Sequence, residues 1–125
     1  MGEPLSRVLL VDPSGDWLAA IHALLAEDAD LEVVGWARTG AEAVARAAEL
    51  WPDLVLLELE LPDTSGLRTV PRLKRLPRPP LVLLLTAHRR TTVGVAAILA
   101  GADGCLRKPQ LGHRLLPILR ELRLR

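Results

Sequence analysis

Asp12, Glu58, Thr86 and Lys108 each close an apolar run, and together they offer two carboxylates, a hydroxyl and an ammonium. Asp12 ends Arg7-Val-Leu-Leu-Val-Asp12, and Glu58 ends Asp53-Leu-Val-Leu-Leu-Glu58. Thr86 ends Leu83-Leu-Leu-Thr86, and Lys108 follows Gly104-Cys-Leu-Arg107 and precedes Pro109. A glutamate is long enough to reach a lysine ending a nearby strand, and a carboxylate–ammonium bond is charge-assisted, roughly twice as strong as a neutral one. More familiar chemistry is missing: the chain has no nucleophile elbow, no phosphate-binding glycine loop and no His–Glu metalloprotease motif. His22, His88 and His113 lack cysteine partners and metal spacing, so zinc is not expected. His22 and His113 are placed on the surface, and His88 in a solvated loop.

Holding four such residues together is the work of alternating strands and helices. Strands are expected at about 6–11, 31–37, 53–58, 81–86 and 104–107, with helices at about 14–28, 40–50, 66–76, 91–100 and 109–123. This alternation argues for an α/β domain built on a parallel sheet with crossover helices. The unbroken apolar run at 6–11 suits a strand covered on both faces, whereas the more polar 31–37 suits an edge. Leu18, Ile21 and Leu25 form one helical stripe; Leu111, Leu115, Ile118 and Leu122 form another. Thr39 and Glu42 have capping-box spacing, Pro52 stops the helix before it, and Gly101 is a C-cap. Pro71 is expected to delay its helix to about Thr69 or to kink it, and Pro117 to bend or restart the last one. Five βα units make a doubly wound sheet, in which ligands bind beyond the carboxyl ends of the strands. Asp12, Glu58, Thr86 and Lys108 all lie at such ends.

At 125 residues the chain is read as one domain, 1–125. Half of it is hydrophobic, yet Tyr and Phe are absent and Trp17, Trp36 and Trp51 are the only aromatics, so Leu, Val and Ala must fill the core. The single cysteine, Cys105, forms no internal disulfide and suits a reducing cytoplasm. No apolar run approaches the roughly 20 residues that span a bilayer. Met1-Gly2 through Ser6 fits a short myristoylation pattern, which is read as chance. The net charge of +1 hides a segregation: residues 1–65 hold thirteen of the fifteen acidic side chains, and 66–125 hold thirteen of the sixteen basic ones. Neutralisation across the interleaved halves is the favoured reading. The alternative is a basic nucleic-acid surface including Arg68, Arg72, Lys74, Arg75, Arg78, Arg89 and Arg90, a less favoured function because such residues set affinity without reading sequence.

Taken as a set, the strand ends resemble the receiver domain of bacterial two-component response regulators over nearly the whole chain. The resemblance implies a flavodoxin-like (βα)5 fold with strand order 2-1-3-4-5. It implies transfer of a phosphoryl group from a histidine kinase to an aspartate, with Mg²⁺ held by an acidic pair and the phosphoryl oxygens held by a hydroxyl and a lysine. Thr86 and Lys108 match that pattern, and Asp12 matches the first member of the acidic pair. Pro13 stands where the second member belongs, and Glu58 stands at the acceptor position. The extra methylene moves the nucleophilic oxygen by about 1.5 Å; a misplacement of about 1 Å already costs on the order of 100-fold in rate. Cys105, two residues after Asp103, occupies the position of the family's switch aromatic.

The expectation is thus a pseudo-receiver: not an enzyme, not phosphorylated by the usual Mg²⁺-dependent route, and held in one conformation by Glu58 and Lys108. No cofactor is expected; Mg²⁺ enters only if the site is functional, with Asp12 and Glu58 the remaining metal candidates. The alternative is a phosphorylatable regulator with an unusual acceptor. Simpler roles stand beside these. Asp12 could cap the first helix with Pro13 at its first position, Thr86 could bond backbone, Glu60 could be solvated, and Cys105 could be a packing residue. Val93 to Ala102 carries no charged or hydrogen-bonding side chain, and a helix apolar all round is buried or meets a partner. In receivers the fourth helix, fifth strand and fifth helix form the signalling and dimerisation face, so a protein partner or a homodimer is expected there. The chain ends at Arg125, leaving no room for a helix-turn-helix output domain.

Overall fold

The computed structural model describes residues 6–87 and 91–123. His88, Arg89, Arg90 and the first five residues lie outside that range. Five strands, β1 (Ser6–Val11), β2 (Leu31–Ala37), β3 (Leu54–Glu58), β4 (Leu81–Thr86) and β5 (Gly104–Arg107), alternate with five helices. These are α1 (Gly15–Ala26), α2 (Gly40–Leu50), α3 (Gly66–Lys74), α4 (Thr91–Ala100) and α5 (Leu111–Arg123). All strand pairs are parallel, in the order β2-β1-β3-β4-β5. The order reverses between β1 and β3, so their carboxyl ends flank the crevice where such sheets bind ligands.

Side chains alternate across the sheet with period two and divide the core. Val8, Leu10, Leu56, Leu83 and Leu106 pack with Leu18, Ile21 and Leu25 of α1 and Leu111, Leu115, Leu119 and Leu122 of α5. Leu9, Val11, Val55, Leu57, Val82 and Leu84 pack with Ala43 and Ala47 of α2, Val70 and Leu73 of α3, and Ala97 of α4. Helices therefore cover both faces, and every residue of β3 is buried. β2 lies at the edge, as its polarity implies. Among the described residues no helix is long and apolar enough to cross a membrane.

Several boundaries differ from the sequence pattern for identifiable reasons. α3 starts at Gly66, not near Thr69, and continues through Pro71. Ser65 caps it by accepting from Leu67 N, and the helix buries Thr69, Val70 and Leu73, so tertiary packing outweighs the proline's missing donor. α5 likewise runs through Pro117, which is exposed while Leu115 and Leu119 beside it are buried. Lys108–Gln110 forms a 3-10 turn, so α5 proper begins at Leu111. Leu119 is the buried residue on its stripe, and Ile118 is only half-buried. The hydroxyl half of the capping box is present, with Thr39 accepting from Glu42 N at 3.0 Å, while the Glu42 carboxylate faces Arg46 one turn on. α2 ends with Trp51 itself in the left-handed conformation, φ 52°, its indole Nε1 donating to Ala48 O. Gly101 closes α4 at φ 101° as expected.

Candidate functional site

Four of the strand-end residues reach the same edge of the sheet, and three of them touch. Asp12 follows β1 and is 2% exposed; Glu58 ends β3 and is also buried. Lys108, immediately after β5, extends back across the strand ends. Its Nζ lies 2.6 Å from Asp12 Oδ2 and 2.7 Å from Glu58 Oε1. Each carboxylate's second oxygen is engaged as well: Asp12 Oδ1 accepts from Ser14 N at 2.8 Å, and Glu58 Oε2 from Glu60 N at 3.3 Å. Thr86 ends β4 in the buried position just past Leu85, the residue that pairs with Glu58.

The third side of the ammonium is covered by an aromatic ring. Lys108 Nζ sits 4.6 Å from the centroid of the Trp17 ring, within the range of cation–π attraction. Trp17 is placed by the start of α1. Ser14, not Asp12, is the N-cap of that helix, and its Oγ accepts from Trp17 N at 3.1 Å. Asp12 is not the cap because its carboxylate is already committed to Ser14 N and Lys108, and Pro13 lies outside the helix for the same reason. The loop is also held from the far side, where the exposed Arg38 donates from Nε and Nη2 to Pro13 O.

Burial of Lys108 works against its charge, but hydrogen bonds from its ammonium to Asp12 and Glu58, with their Coulombic attraction, outweigh that cost and push its pKa above the ordinary 10.5. The lysine is therefore a fixed cation at neutral pH. Next to the site, the β3–α3 loop supports α2. Asp63 accepts from Gly40 N at 2.8 Å and Ala41 N at 3.0 Å, and these amide bonds hold its pKa below 3.8. Gly66 allows that loop to close: a Cβ there would lie 2.5 Å from Glu58 O.

The other candidates fall as follows. Cys105, on β5 opposite Leu84, is partly buried against the α2–α3–α4 side of the core, and desolvation raises its thiol pKa, which suits packing and not reactivity. Glu60 is exposed. His113 is exposed, but His22 is half-buried and accepts from Trp36 Nε1 at 3.1 Å, so it is not a free surface residue. His88 lies outside the described residues. The Glu58–Lys108 pair was readable from the convergence of strand ends expected of the fold together with the reach of a glutamate. The Asp12–Lys108 bond and the Trp17 ring were not; their one trace in the sequence is that Trp17 falls in the first turn of a helix starting beside Asp12.

A family model for the response regulator receiver domain matches residues 8–120. A protein-glutamate methylesterase/protein-glutamine glutaminase from Agrobacterium fabrum is 38% identical over 109 residues, covering 86% of this chain and 31% of that relative. The chain spans less than a third of the length of the curated relatives it matches. Among solved structures, the response regulator domain of Thermotoga maritima CheB superposes with a TM-score of 0.85 at 26% identity, over 94% of this chain and 95% of that one. The beryllofluoride-activated NtrC4 receiver domain dimer gives 0.79 at 28% identity, over 93% and 95%.

Proposed function

The chain belongs to the response regulator receiver domain family of two-component systems, and from that footing we propose that it is a pseudo-receiver, closed to Mg²⁺-dependent phosphorylation and signalling through protein contacts. The observation that carries this reading is the Lys108 ammonium seated between Asp12 and Glu58 at 2.6 and 2.7 Å. The residues do not fit Mg²⁺. That ion demands near-octahedral oxygen ligation at about 2.0–2.1 Å. All four carboxylate oxygens of Asp12 and Glu58 already face protein donors, and Pro13 offers only a carbonyl that Arg38 occupies.

In this reading Glu58 is a degenerate acceptor position and Thr86 a remnant of the phosphoryl-binding set. The Glu58 carboxylate sits against Lys108 at 2.7 Å, in a crude likeness of an occupied site. Output then passes through the face of α4, β5 and α5. Ile98 and Leu99 on α4 are 70% and 83% exposed, and large apolar side chains so open to water favour a partner. A relative described as a receiver domain dimer adds weight to a second copy as that partner.

The test is intact-mass measurement after incubation with Mg²⁺ and a small-molecule phosphoryl donor. The unmodified protein stays unlabelled, and Pro13→Asp combined with Glu58→Asp restores a labile acyl phosphate. Labelling of the unmodified chain at Glu58 would refute the reading.

A further inference from the structure

The charge segregation of the sequence survives folding. Between Arg7 and Arg38 there is no lysine or arginine, and between Asp63 and Asp103 there is no aspartate or glutamate. Neutralisation across the halves, the favoured expectation, takes place among ion pairs of described residues only where Lys108 meets Asp12 and Glu58. Arg46–Glu42 and Lys74–Asp103 each pair within one half. Two surfaces each concentrate exposed charge of one sign.

The basic surface is a ridge on α3. Arg68, Arg72 and Arg75 are exposed and follow i, i+4, i+7 spacing, so they stand in one row. Gly66, Thr69, Val70 and Leu73 face the core from the opposite side of the helix. At 1.5 Å per residue the row is about 10 Å long. Arg78 extends it and lies over the Trp51 ring at 5.0 Å, with that ring half exposed. None of Arg68, Arg72 and Arg75 forms an ion pair with a described residue. The acidic surface is the corner where α1 turns into β2. Glu27, Asp30 and Glu32 are exposed there, with Asp28 half-buried beside them. The two surfaces belong to different layers: α1 packs on one face of the sheet and α3 on the other.

We propose that the α3 arginine ridge docks the acidic α1–β2 corner of a second copy of this chain, giving a salt-sensitive head-to-tail association. A row of exposed guanidinium groups that form no ion pair with a described residue attracts a cluster of carboxylates, and charge complementarity of this kind sets encounter and register. The ridge and the acidic corner are different patches of the chain, so the contact is heterologous and chains of copies grow from it. Acids also border the ridge. Glu49 is exposed on α2, which packs beside α3, and Asp63 attracts Arg72. Such a border disfavours a long polyphosphate backbone and suits a compact cluster of carboxylates. This contact is independent of the α4–β5–α5 reading. It weakens with salt, whereas an apolar face around Ile98 and Leu99 does not.

Sedimentation equilibrium of the unmodified chain at low and high salt tests the proposal, together with two charge-reversed variants. One carries Arg68→Glu, Arg72→Glu and Arg75→Glu; the other carries Glu27→Lys, Asp30→Lys and Glu32→Lys. All six positions are exposed, so folding is spared, and circular dichroism checks it. The expected result is association of the unmodified chain that weakens about tenfold or more as added salt shortens the Debye length from about 30 to 8 Å. Each variant alone is expected to lose it, and an equimolar mixture to regain it, because the reversed surfaces complement each other. Leu99→Glu is expected to leave it intact. A monomer at low salt overturns the proposal, as does association indifferent to salt. Loss without recovery in the mixture also overturns it and would point to another acidic ligand on the ridge. So does ridge-dependent binding of a DNA duplex by a chain that stays monomeric.

Discussion

Lys108 and Asp12, 96 positions apart, are joined by a 2.6 Å bond between Nζ and Oδ2. The bond reaches from the last strand of the sheet to the second, past β4 and β3, and collects Glu58 on the way. One side chain thereby ties together the carboxyl ends of three strands and pairs with two buried carboxylates.

Removing that cation leaves the carboxylates without compensation. Lys108→Met is expected to destabilise the fold by about 3 kcal/mol, the lower end for breaking a buried pair because Lys108 keeps some solvent contact. Urea unfolding measures it. Adding Asp12→Asn and Glu58→Gln to the same chain is expected to recover part of the loss, since neutral side chains of the same shape remove the unpaired charge.

The same site makes stability depend on pH at the alkaline end. Lys108 has a folded pKa raised above its ordinary 10.5, so its contribution is complete below 10.5 and is lost as pH rises through the folded value. Melting temperature is expected to fall more steeply above pH 10.5 in the unmodified protein than in Lys108→Met. At the acidic end Asp63, with a folded pKa below 3.8, contributes above 3.8 and loses that contribution as pH falls through its folded value. Asp63→Asn should flatten that limb.

Trp17 and Lys108 are coupled through the ring face. A double-mutant cycle with Trp17→Leu and Lys108→Met is expected to give an interaction energy of about 1–2 kcal/mol. Equality of the double loss with the sum of the single losses would show that the indole only packs against the core.

Gly66 holds the β3–α3 loop against the strand end that carries Glu58. Because a Cβ would fall 2.5 Å from Glu58 O and 2.9 Å from Leu84 Cδ1, Gly66→Ala is expected to cost about 3 kcal/mol, read from the denaturation midpoint. Gly94→Ala, where nothing lies within 4 Å, is the control and should stabilise its helix slightly.

Much of this architecture was visible in the residues. The apolar runs at 6–11, 31–37 and 81–86 are strands with those bounds, each giving way to a polar or charged residue at its carboxyl end. Pro71 did not delay α3 and Pro117 did not restart α5, because helix propensity is local, whereas Leu73 and Leu119 stabilise their helices by burial supplied from elsewhere in the fold. Glu58 meeting Lys108 followed from the strand ends converging in a doubly wound sheet, with a glutamate long enough to span the gap. Asp12 meeting Lys108 did not, since a carboxylate followed by proline and serine reads equally well as a helix cap. Trp17 over Lys108 needed the entry angle of α1, which Ser14 and the Arg38–Pro13 bonds determine. Charge neutralisation between the halves is met where Lys108 joins Asp12 and Glu58 and where Arg72 attracts Asp63, but interleaving of segments says nothing about which way the other exposed arginines point.

The central claim is that Lys108 is the resident cation of this site. Titration of the unmodified protein with Mg²⁺, followed through the side-chain nitrogen resonance of Lys108, tests it most directly. The account predicts a resonance that keeps its position to tens of millimolar Mg²⁺. A saturable shift, with Lys108 displaced and the ion bound beside Asp12 and Glu58, would contradict it.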